Sequence, residues 1–222
     1  MIYLFSKRLL DLLISLISII LLSPVFLIVI IILKFTAEGE IFYFQKRIGL
    51  KNKSFYIIKF ATMLKDSINM GTGSITLKND YRVTSFGKFL RKTKINELPQ
   101  IINVVKGDIS IVGPRPLVQK TFAMYSHKIQ SKIYQIKPGI TGIGSIVFRD
   151  EESIISSVKN EDPFIFYKRA ISPHKGELEM WYQKNKSFCT DLKIIFVTAW
   201  IIIFPSTKIY NKLFINLPER DF

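Results

Sequence analysis

Residues 91–116, RKTKINELPQIINVVKGDISIVGPRP, set the reading of the whole chain. Pro99 suits the first turn of a helix, where its missing N–H has no partner to lose. Leu98, Ile101, Ile102 and Val105 then recur on one helical face, and Gly107 closes the segment. Asn96 and Glu97 are thereby expected at a helix N-terminus, whose free N–H groups and partial positive charge favour anions. Two readings stand side by side. Glu97 holds a metal or faces a phosphorylated ligand, or Asn96 is an N-cap and Glu97 a first-turn acid that complements the helix dipole. Beyond Gly107, Ile109 to Val112 has the length and β-branched content of a buried strand, and Pro114 and Pro116 restrict the backbone on both sides of Arg115. A guanidinium held in that way suits bidentate binding of a phosphate; a surface arginine in a turn is the plainer alternative.

The composition narrows the partners. Among 222 residues, 32 Lys and Arg stand against 17 Asp and Glu, and the isoelectric point near 9.8 implies a polyanion: nucleic acid, an anionic membrane surface or a phosphorylated substrate. One cysteine, Cys189, excludes an internal disulfide and a cysteine-cluster zinc site. His127 and His174 lack any local metal-ligand spacing and read as solvated or packed histidines. Nucleic acid is disfavoured as a partner, because the charges flank membrane-length apolar segments and no recognition motif is present.

From Leu12 to Leu33 the chain is almost wholly apolar, roughly the twenty residues that a bilayer span requires. The run is long for a signal peptide, and no small-x-small cleavage site follows it. Lys7 and Arg8 precede the run, and Lys34, Lys46, Arg47, Lys51 and Lys53 follow it, so a straight crossing puts positive charge on the outer face against the positive-inside tendency. A turn at Ser23-Pro24 resolves the conflict: Pro24 removes an N–H, a serine hydroxyl satisfies the freed carbonyl, and the two halves dip in and return. A proline-kinked crossing helix is the alternative.

Residues 39–63, GEIFYFQKRIGLKNKSFYIIKFATM, alternate apolar and basic positions around a Lys51-Asn52-Lys53 turn and read as a β-hairpin. Phe42, Phe44, Phe55 and Tyr56 are expected as core or interfacial anchors, and Gln45, Lys46, Arg47 and Lys59 as candidates for phosphate contacts. Asp66 to Lys78, with Gly71-Thr72-Gly73-Ser74, is expected to be a mobile loop over the site and lacks P-loop spacing. Residues 86–91 suggest a second short helix carrying Lys88, Arg91 and Lys92. Leu117 to Ile136 reads as one helix with Phe122, Tyr125, Ile129 and Ile133 inward, and Lys137-Pro138-Gly139-Ile140-Thr141-Gly142 as a turn. The Asp150-Glu151-Glu152 cluster is expected to cap the next helix, with sugar hydroxyls or a metal as the alternative ligands. Trp181 and Tyr182 stack on a ligand or join the core. Leu192 to Phe204, about two thirds of a spanning length, suits an interfacial helix or a core helix.

Taken together, SKRLLDLLIS, the Ser23-Pro24 break, FQKRIGLKNKSFYIIKFATM, NDYRVTSFGKFLRKTKINELPQIINVVKGDISIVGPRP, KPGITG and DLKIIFVTAW resemble the bacterial sugar transferase family, the small monotopic phosphoglycosyl transferases. The resemblance runs through nearly the whole chain. It implies an α+β protein: a re-entrant membrane helix-break-helix, residues 1–36; a mostly helical cytoplasmic catalytic domain with a small β-hairpin, residues 37–191; and a membrane-interface helix and tail, residues 192–222. It further implies transfer of a sugar 1-phosphate from a UDP-sugar to polyprenyl (undecaprenyl) phosphate with release of UMP, at the cytoplasmic face of the bacterial inner membrane, as the first membrane step of surface glycan synthesis. Membrane lipids and downstream glycosyltransferases are the implied partners, and Mg2+ the cofactor. By motif position, Glu97 matches the acid that binds the metal, and Lys59, Arg91 and Arg115 match the basic residues near the diphosphate.

Two positions depart from the family pattern. Asn96 stands where the nucleophilic Asp is expected, and Ala61 where Lys-Phe-Arg-Thr-Met has Arg. An amide is neutral and a poor nucleophile. The reading adopted is a transferase with Asn96 and Glu97 at its catalytic centre and a modified mechanism: Glu97 or an acid of the 150–152 cluster takes over, or polyprenyl phosphate attacks directly. The alternative is a catalytically impaired membrane protein that binds UDP-sugar or lipid phosphate as a scaffold.

Overall fold

The computed structural model describes residues 2–36, 38–70 and 80–220, and leaves the side chains of Ile68 and Glu152 undescribed. Most of the expected Asp66–Lys78 loop therefore lies outside the described residues. Helices and strands are mixed, as the expected α+β class requires, and one long apolar helix opens the chain.

Helix α1 (Ile2–Phe35) is assigned without interruption and contains Pro24. Pro24 has no N–H for the carbonyl of Ile20, four residues earlier, and the Ser23 hydroxyl donates to that carbonyl at 2.8 Å instead. The helix is long and apolar enough to cross a membrane. Its most apolar 18-residue window has a mean hydropathy of 3.2 and is only 11% buried. Ile17, Ile20, Leu21, Leu27 and Ile28 all point outward, a surface suited to lipid and costly in water.

The chain divides into two compact units, and both α1 and the hairpin run through them. The second comprises residues 12–46 and 56–106. Strands β1 (Phe42–Ile48) and β2 (Ser54–Phe60) form the expected antiparallel hairpin. Val29, Leu33, Phe60 and Leu90 make this unit's core, with the Phe26 and Phe42 rings 5.4 and 5.6 Å from that of Phe60. Helix α2 (Ser85–Lys92) is opened by Thr84, whose hydroxyl accepts from the Gly87 amide. Gly87 is required there, since a Cβ would fall 2.2 Å from the Thr62 carbonyl oxygen. Helix α3 (Gln100–Lys106) completes the unit.

The first unit comprises Met1–Asp11, Arg47–Phe55 and Gly107–Phe222. Strand β3 (Ser110–Val112) pairs in parallel with β4 (Gly139–Thr141), Ser110 opposite Gly139 and Val112 opposite Thr141. The Lys137–Gly142 segment is thus more than a turn. Its glycines permit the approach, because a Cβ on Gly139 would lie 2.1 Å from the Gly113 nitrogen. Between the strands, the single helix expected over 117–136 is instead two short ones, α4 (Gln119–Phe122) and α5 (His127–Ile133). Ser126 is extended at ψ 153, which turns Tyr125 into the core beside Phe122 and Tyr134. The apolar spacing of residues 122, 125, 129 and 133 survives that break, which is why periodicity alone does not reveal it.

Helices α6 (Ile143–Val147), α7 (Glu151–Ser157) and α8 (Pro163–Phe166) follow; a π-helical turn, Tyr167–Ile171, joins α8 to α9 (Ser172–Asn185). Helix α10 (Phe188–Ile203) begins earlier than expected and is used on two faces. Ile194, Val197 and Ile201 are in the core, while Leu192, Phe196, Ile202 and Ile203 are exposed. Helix α11 (Tyr210–Leu213) leads to the tail. Trp181 belongs to the packing: its indole N–H donates to the Ile215 carbonyl and its ring meets Phe214 edge-on.

The N-terminal turns of α1 are tied into this unit by buried polar contacts. Lys7 Nζ lies 2.6 Å from Asp191 Oδ2, and Tyr182 donates to Asp191 Oδ1 at 2.6 Å. Asp11 Oδ1 accepts from Ser110 Oγ at 3.0 Å and from the Ile111 amide at 2.9 Å. Breaking a buried pair from one side leaves an uncompensated charge, at a cost of about 3–5 kcal/mol. Lys7→Met is therefore expected to lower the thermal unfolding temperature in detergent markedly, and Lys7→Met with Asp191→Leu to recover most of the loss; equal losses in the two proteins would contradict this account.

Candidate active site

In the second unit, the structure brings Lys59 and Glu97 together. Lys59 is on β2, and its ammonium lies 2.9 Å from Glu97 Oε1, with both side chains mostly shielded from solvent. Glu97 is not at the N-terminus of an α-helix. It ends a 3-10 turn, Ile95–Glu97, and α3 begins three residues later at Gln100. Lys94 opens that turn in the left-handed region at φ 62. Asn96 is thus no N-cap, correcting that alternative: it is buried at 8% exposure, and its Oδ1 has no hydrogen-bond partner among the described residues. Pro99 and the short turn explain the shift, since Ile101 and Ile102 bond back to Leu98 and Pro99 three residues earlier, before regular helix is established. Arg91, in the last turn of α2, has a buried Nη1, and α2 packs against the turn that carries Asn96.

Asn103 is a residue that the sequence reading missed. Buried on α3, it accepts from the Ile58 amide through Oδ1 at 2.9 Å and donates through Nδ2 to the Tyr56 carbonyl at 2.8 Å. It thereby fixes the strand immediately before Lys59. An Asn on the apolar side of a helical pattern was the available signal.

In the first unit, Arg115 is an exposed residue within an otherwise buried run from Val112 to Leu117. The main chain around it is bonded throughout. The Gly113 amide donates to the Thr141 carbonyl at 2.9 Å, and the Pro114 carbonyl accepts from the Gly139 amide at 2.9 Å. The Arg115 carbonyl accepts from the Tyr134 hydroxyl at 2.7 Å, and the Pro116 carbonyl from Arg47 Nη1 at 3.0 Å. The Arg115 amide donates to Glu179. Tyr134 also receives the Leu117 amide at 3.0 Å, and Leu117 bonds to Ile48.

Glu179 and Lys175 likewise escape the sequence reading, although a lysine and an acid four residues apart beside the core positions Leu178 and Tyr182 are a readable sign. Both are buried. Burial pushes the Glu179 carboxyl up to about 7, against the opposing influence of Lys175 and of the Arg115 amide. Burial likewise lowers Lys175, opposed by Glu151, whose carboxylate is 2.6 Å from Nζ. The Lys175 ammonium also lies over the rings of Phe148 and Tyr167, at 5.2 and 5.5 Å. Asp150 caps nothing with its side chain; it pairs with Arg220 through both oxygens, at 2.9 and 3.0 Å, which lowers its carboxyl pKa.

Residues 2–205 match the sequence model of the bacterial sugar transferase family. The chain belongs to that family. It is 36% identical over 194 residues to an uncharacterized sugar transferase, EpsL, of Bacillus subtilis, covering 87% of this chain and 85% of the relative. It is also 35% identical over 205 residues to the UDP-N-acetylgalactosamine-undecaprenyl-phosphate N-acetylgalactosaminephosphotransferase of Aeromonas hydrophila, and 35% over 201 residues to the UDP-glucose:undecaprenyl-phosphate glucose-1-phosphate transferase of Klebsiella pneumoniae. These two alignments cover 91% and 87% of this chain, but 44% and 39% of the longer relatives. As a bacterial sugar transferase, the protein is an enzyme of the transferase class.

Among the described residues, no three His, Cys, Asp or Glu side chains converge as a metal site. What this sugar transferase does offer is the carboxylate of Glu97 and, on the adjacent residue, the buried unpartnered oxygen of Asn96. Those hard oxygens fit Mg2+, which takes one or two protein ligands and leaves the remainder to water and substrate phosphates.

Asn103→Ala removes two buried bonds and leaves the Ile58 amide and Tyr56 carbonyl unmet, so a loss of about 2 kcal/mol is expected in chemical unfolding, together with lower transferase activity. The raised Glu179 carboxyl has its own signature. Its stabilising contribution is complete below the ordinary glutamate range and is lost as pH rises through about 7. Glu179→Gln removes that loss, so the variant's thermal stability should exceed the parent's more at pH 8 than at pH 5.

Proposed function

We propose that this sugar transferase moves a sugar 1-phosphate from a UDP-sugar to polyprenyl phosphate, releasing UMP and forming a polyprenyl-diphosphate sugar. The single observation that carries this reading is the Lys59–Glu97 ion pair beside buried Asn96, set within a family match over residues 2–205. The relatives named for transfer to undecaprenyl phosphate support the same donor and acceptor classes. The exposed apolar surface of α1 supports a membrane-bound placement; the re-entrant course and the cytoplasmic face, where a polyprenyl phosphate headgroup is presented, rest on the basic residues that flank the apolar run on both sides.

The chemistry follows from the residues present. Lys59 and Arg91 in the second unit, and separately Arg115 in the first, offer cations for phosphate oxygens, and offsetting charge on the transferred phosphoryl group is the main task in such reactions. Glu97, with the Asn96 oxygen beside it, would hold Mg2+, which supplies charge neutralisation at the donor phosphates when bound. Asn96 is no nucleophile, and Asp150 and Glu151 are engaged by Arg220 and Lys175. With Glu97 given to Lys59 and the metal, the reading adopted is direct attack: the acceptor phosphate oxygen attacks the phosphorus that bears the sugar, and the bond from that phosphorus to the UMP oxygen breaks. A new phosphorus–oxygen bond to the lipid phosphate replaces it, and UMP departs with the bonding pair. The neutral Asn96 favours a second reading, a silent scaffold that binds the same ligands without turnover.

Purified protein in detergent, given a panel of UDP-sugars, is expected to release UMP when both Mg2+ and polyprenyl phosphate are present and to stop when the metal is chelated. Direct attack further implies that no radiolabelled sugar phosphate remains on the protein when lipid is omitted, whereas Asn96→Asp introduces such a label. Release of UMP by Asn96→Asp alone would replace this reading with the scaffold.

A further inference from the structure

The Glu179 carboxylate reaches the main chain of the 113–117 segment, accepting from the Arg115 amide. Backbone groups, the Tyr134 hydroxyl and Arg47 also bond to that segment. Glu179 is 3% exposed, its second oxygen, Oε2, has no hydrogen-bond partner among the described residues, and no room is left beside it: a Cβ on Gly144 would lie 2.5 Å from Oε1. A carboxylate is costly to bury and contributes little to stability unless fully paired. Glutamine, which keeps an acceptor for the Arg115 amide without a charge to bury, would suit this position of α9 better on stability alone. A group kept at such a cost points to a role in positioning.

The geometry points to Glu179 as a positioning residue: it holds the Arg115 amide, and through it the exposed guanidinium, in place for the diphosphate of the donor, with the Lys175–Glu151 pair behind it. The inference rests on the reading of Arg115 as a donor-phosphate ligand. Two prolines flank Arg115, so its backbone has few conformations to choose among, and the hydrogen bond selects one. The charge also matters. A hydrogen bond from an amide to a carboxylate is roughly twice as strong as one to a neutral acceptor, so the hold on Arg115 tightens when Glu179 ionises. The charged and titratable groups around Glu179 are Lys175 on its own helix, Glu151 on α7, Arg115 on the loop after β3, and Tyr125 and Tyr134 at the two ends of α5.

Calorimetric binding of UDP to the full-length protein in detergent tests this, with Glu179→Gln, Glu179→Leu, Arg115→Ala and the double variant Glu179→Gln with Arg115→Ala. At pH 8, Glu179→Gln should bind UDP about three- to ten-fold more weakly than the parent, and Glu179→Leu about ten-fold or more. The gap between parent and Glu179→Gln should close as pH falls through about 7, where the parent carboxyl takes up a proton. In the Arg115→Ala background, Glu179→Gln should have no further effect, because the two residues act in series. Equal affinities of parent and Glu179→Gln at pH 8 overturn the inference, as does an undiminished effect in the Arg115→Ala background. The Gln variant keeps the shape of the side chain, so these outcomes are readable even if Glu179→Leu fails to fold. If the parent releases UMP while Glu179→Gln matches it in UDP binding, this inference alone fails. If the binding cycle behaves as stated but no UDP-sugar yields UMP, the transferase reading alone fails. A parent that binds no UDP overturns both.

Discussion

The structure of the first unit depends on the ion pair between Lys7 and Asp191. Helix α1 is almost uniformly apolar, yet Lys7, Asp11 and Ser15, spaced four residues apart, are the buried positions of its first half, while Leu9, Leu13, Leu16 and Ile17 are half exposed or more. That is the inverse of a soluble amphipathic helix, where the apolar stripe faces the core. The inversion makes sense only if the surroundings of the helix are themselves apolar. Its polar groups must then be satisfied inside the protein, because lipid supplies no hydrogen bonds. Asp191 for Lys7, and Ser110 with the Ile111 amide for Asp11, supply them, while Ser15 Oγ has no partner among the described residues. The second of these contacts lands on β3, the strand that leads directly into Gly113-Pro114-Arg115.

From β3 onward the same logic continues in the backbone. Residues 113–117 carry two prolines and close glycine contacts, and their polar groups are bonded to β4, Tyr134, Arg47, Ile48 and Glu179. Arg115 is exposed amid this saturation. A guanidinium on such a base has little main-chain freedom to lose when it binds an anion, and that is where rigidity improves both affinity and transition-state stabilisation. The second unit uses a different device for the same end. Asn103 stitches α3 to the backbone of β2, so Lys59 is carried on a strand whose register cannot drift.

The local signals in the sequence are strong where a single residue decides the backbone. Gly49, Asn52 and the alternation of residues 42–60 mark the hairpin, and Pro24 with Ser23 marks the carbonyl of Ile20 as the one needing a new partner. They are weak where the deciding contact is distant. Nothing near Ser126 announces that Tyr125 turns inward to meet Tyr134, and nothing in KPGITG announces a strand until β3 is available to pair with it. Asn103 and Glu179 stand out only as polar residues at apolar positions, since their partners are the amides of Ile58 and Arg115, the first of them 45 residues away and the second farther still. Asn96 resembles a cap in the sequence because Pro99 favours a helix that opens at once; a 3-10 turn intervenes and turns its side chain inward.

The charge balance at Asn96 bears on how the reaction proceeds. An aspartate there would sit next to Glu97, two adjacent carboxylates with Lys59 as the ammonium in contact. Like charges so close raise one another's pKa values and repel an incoming anion. With asparagine, the Lys59–Glu97 pair is balanced, and a buried amide costs far less than a buried carboxylate. On the proposed reading, the same neutral amide that cannot act as a nucleophile also lowers the electrostatic cost of bringing two phosphate-bearing substrates to one place. A site without an attacking oxygen of its own that better tolerates anionic ones would be suited to let the acceptor phosphate supply it, which is the proposed route.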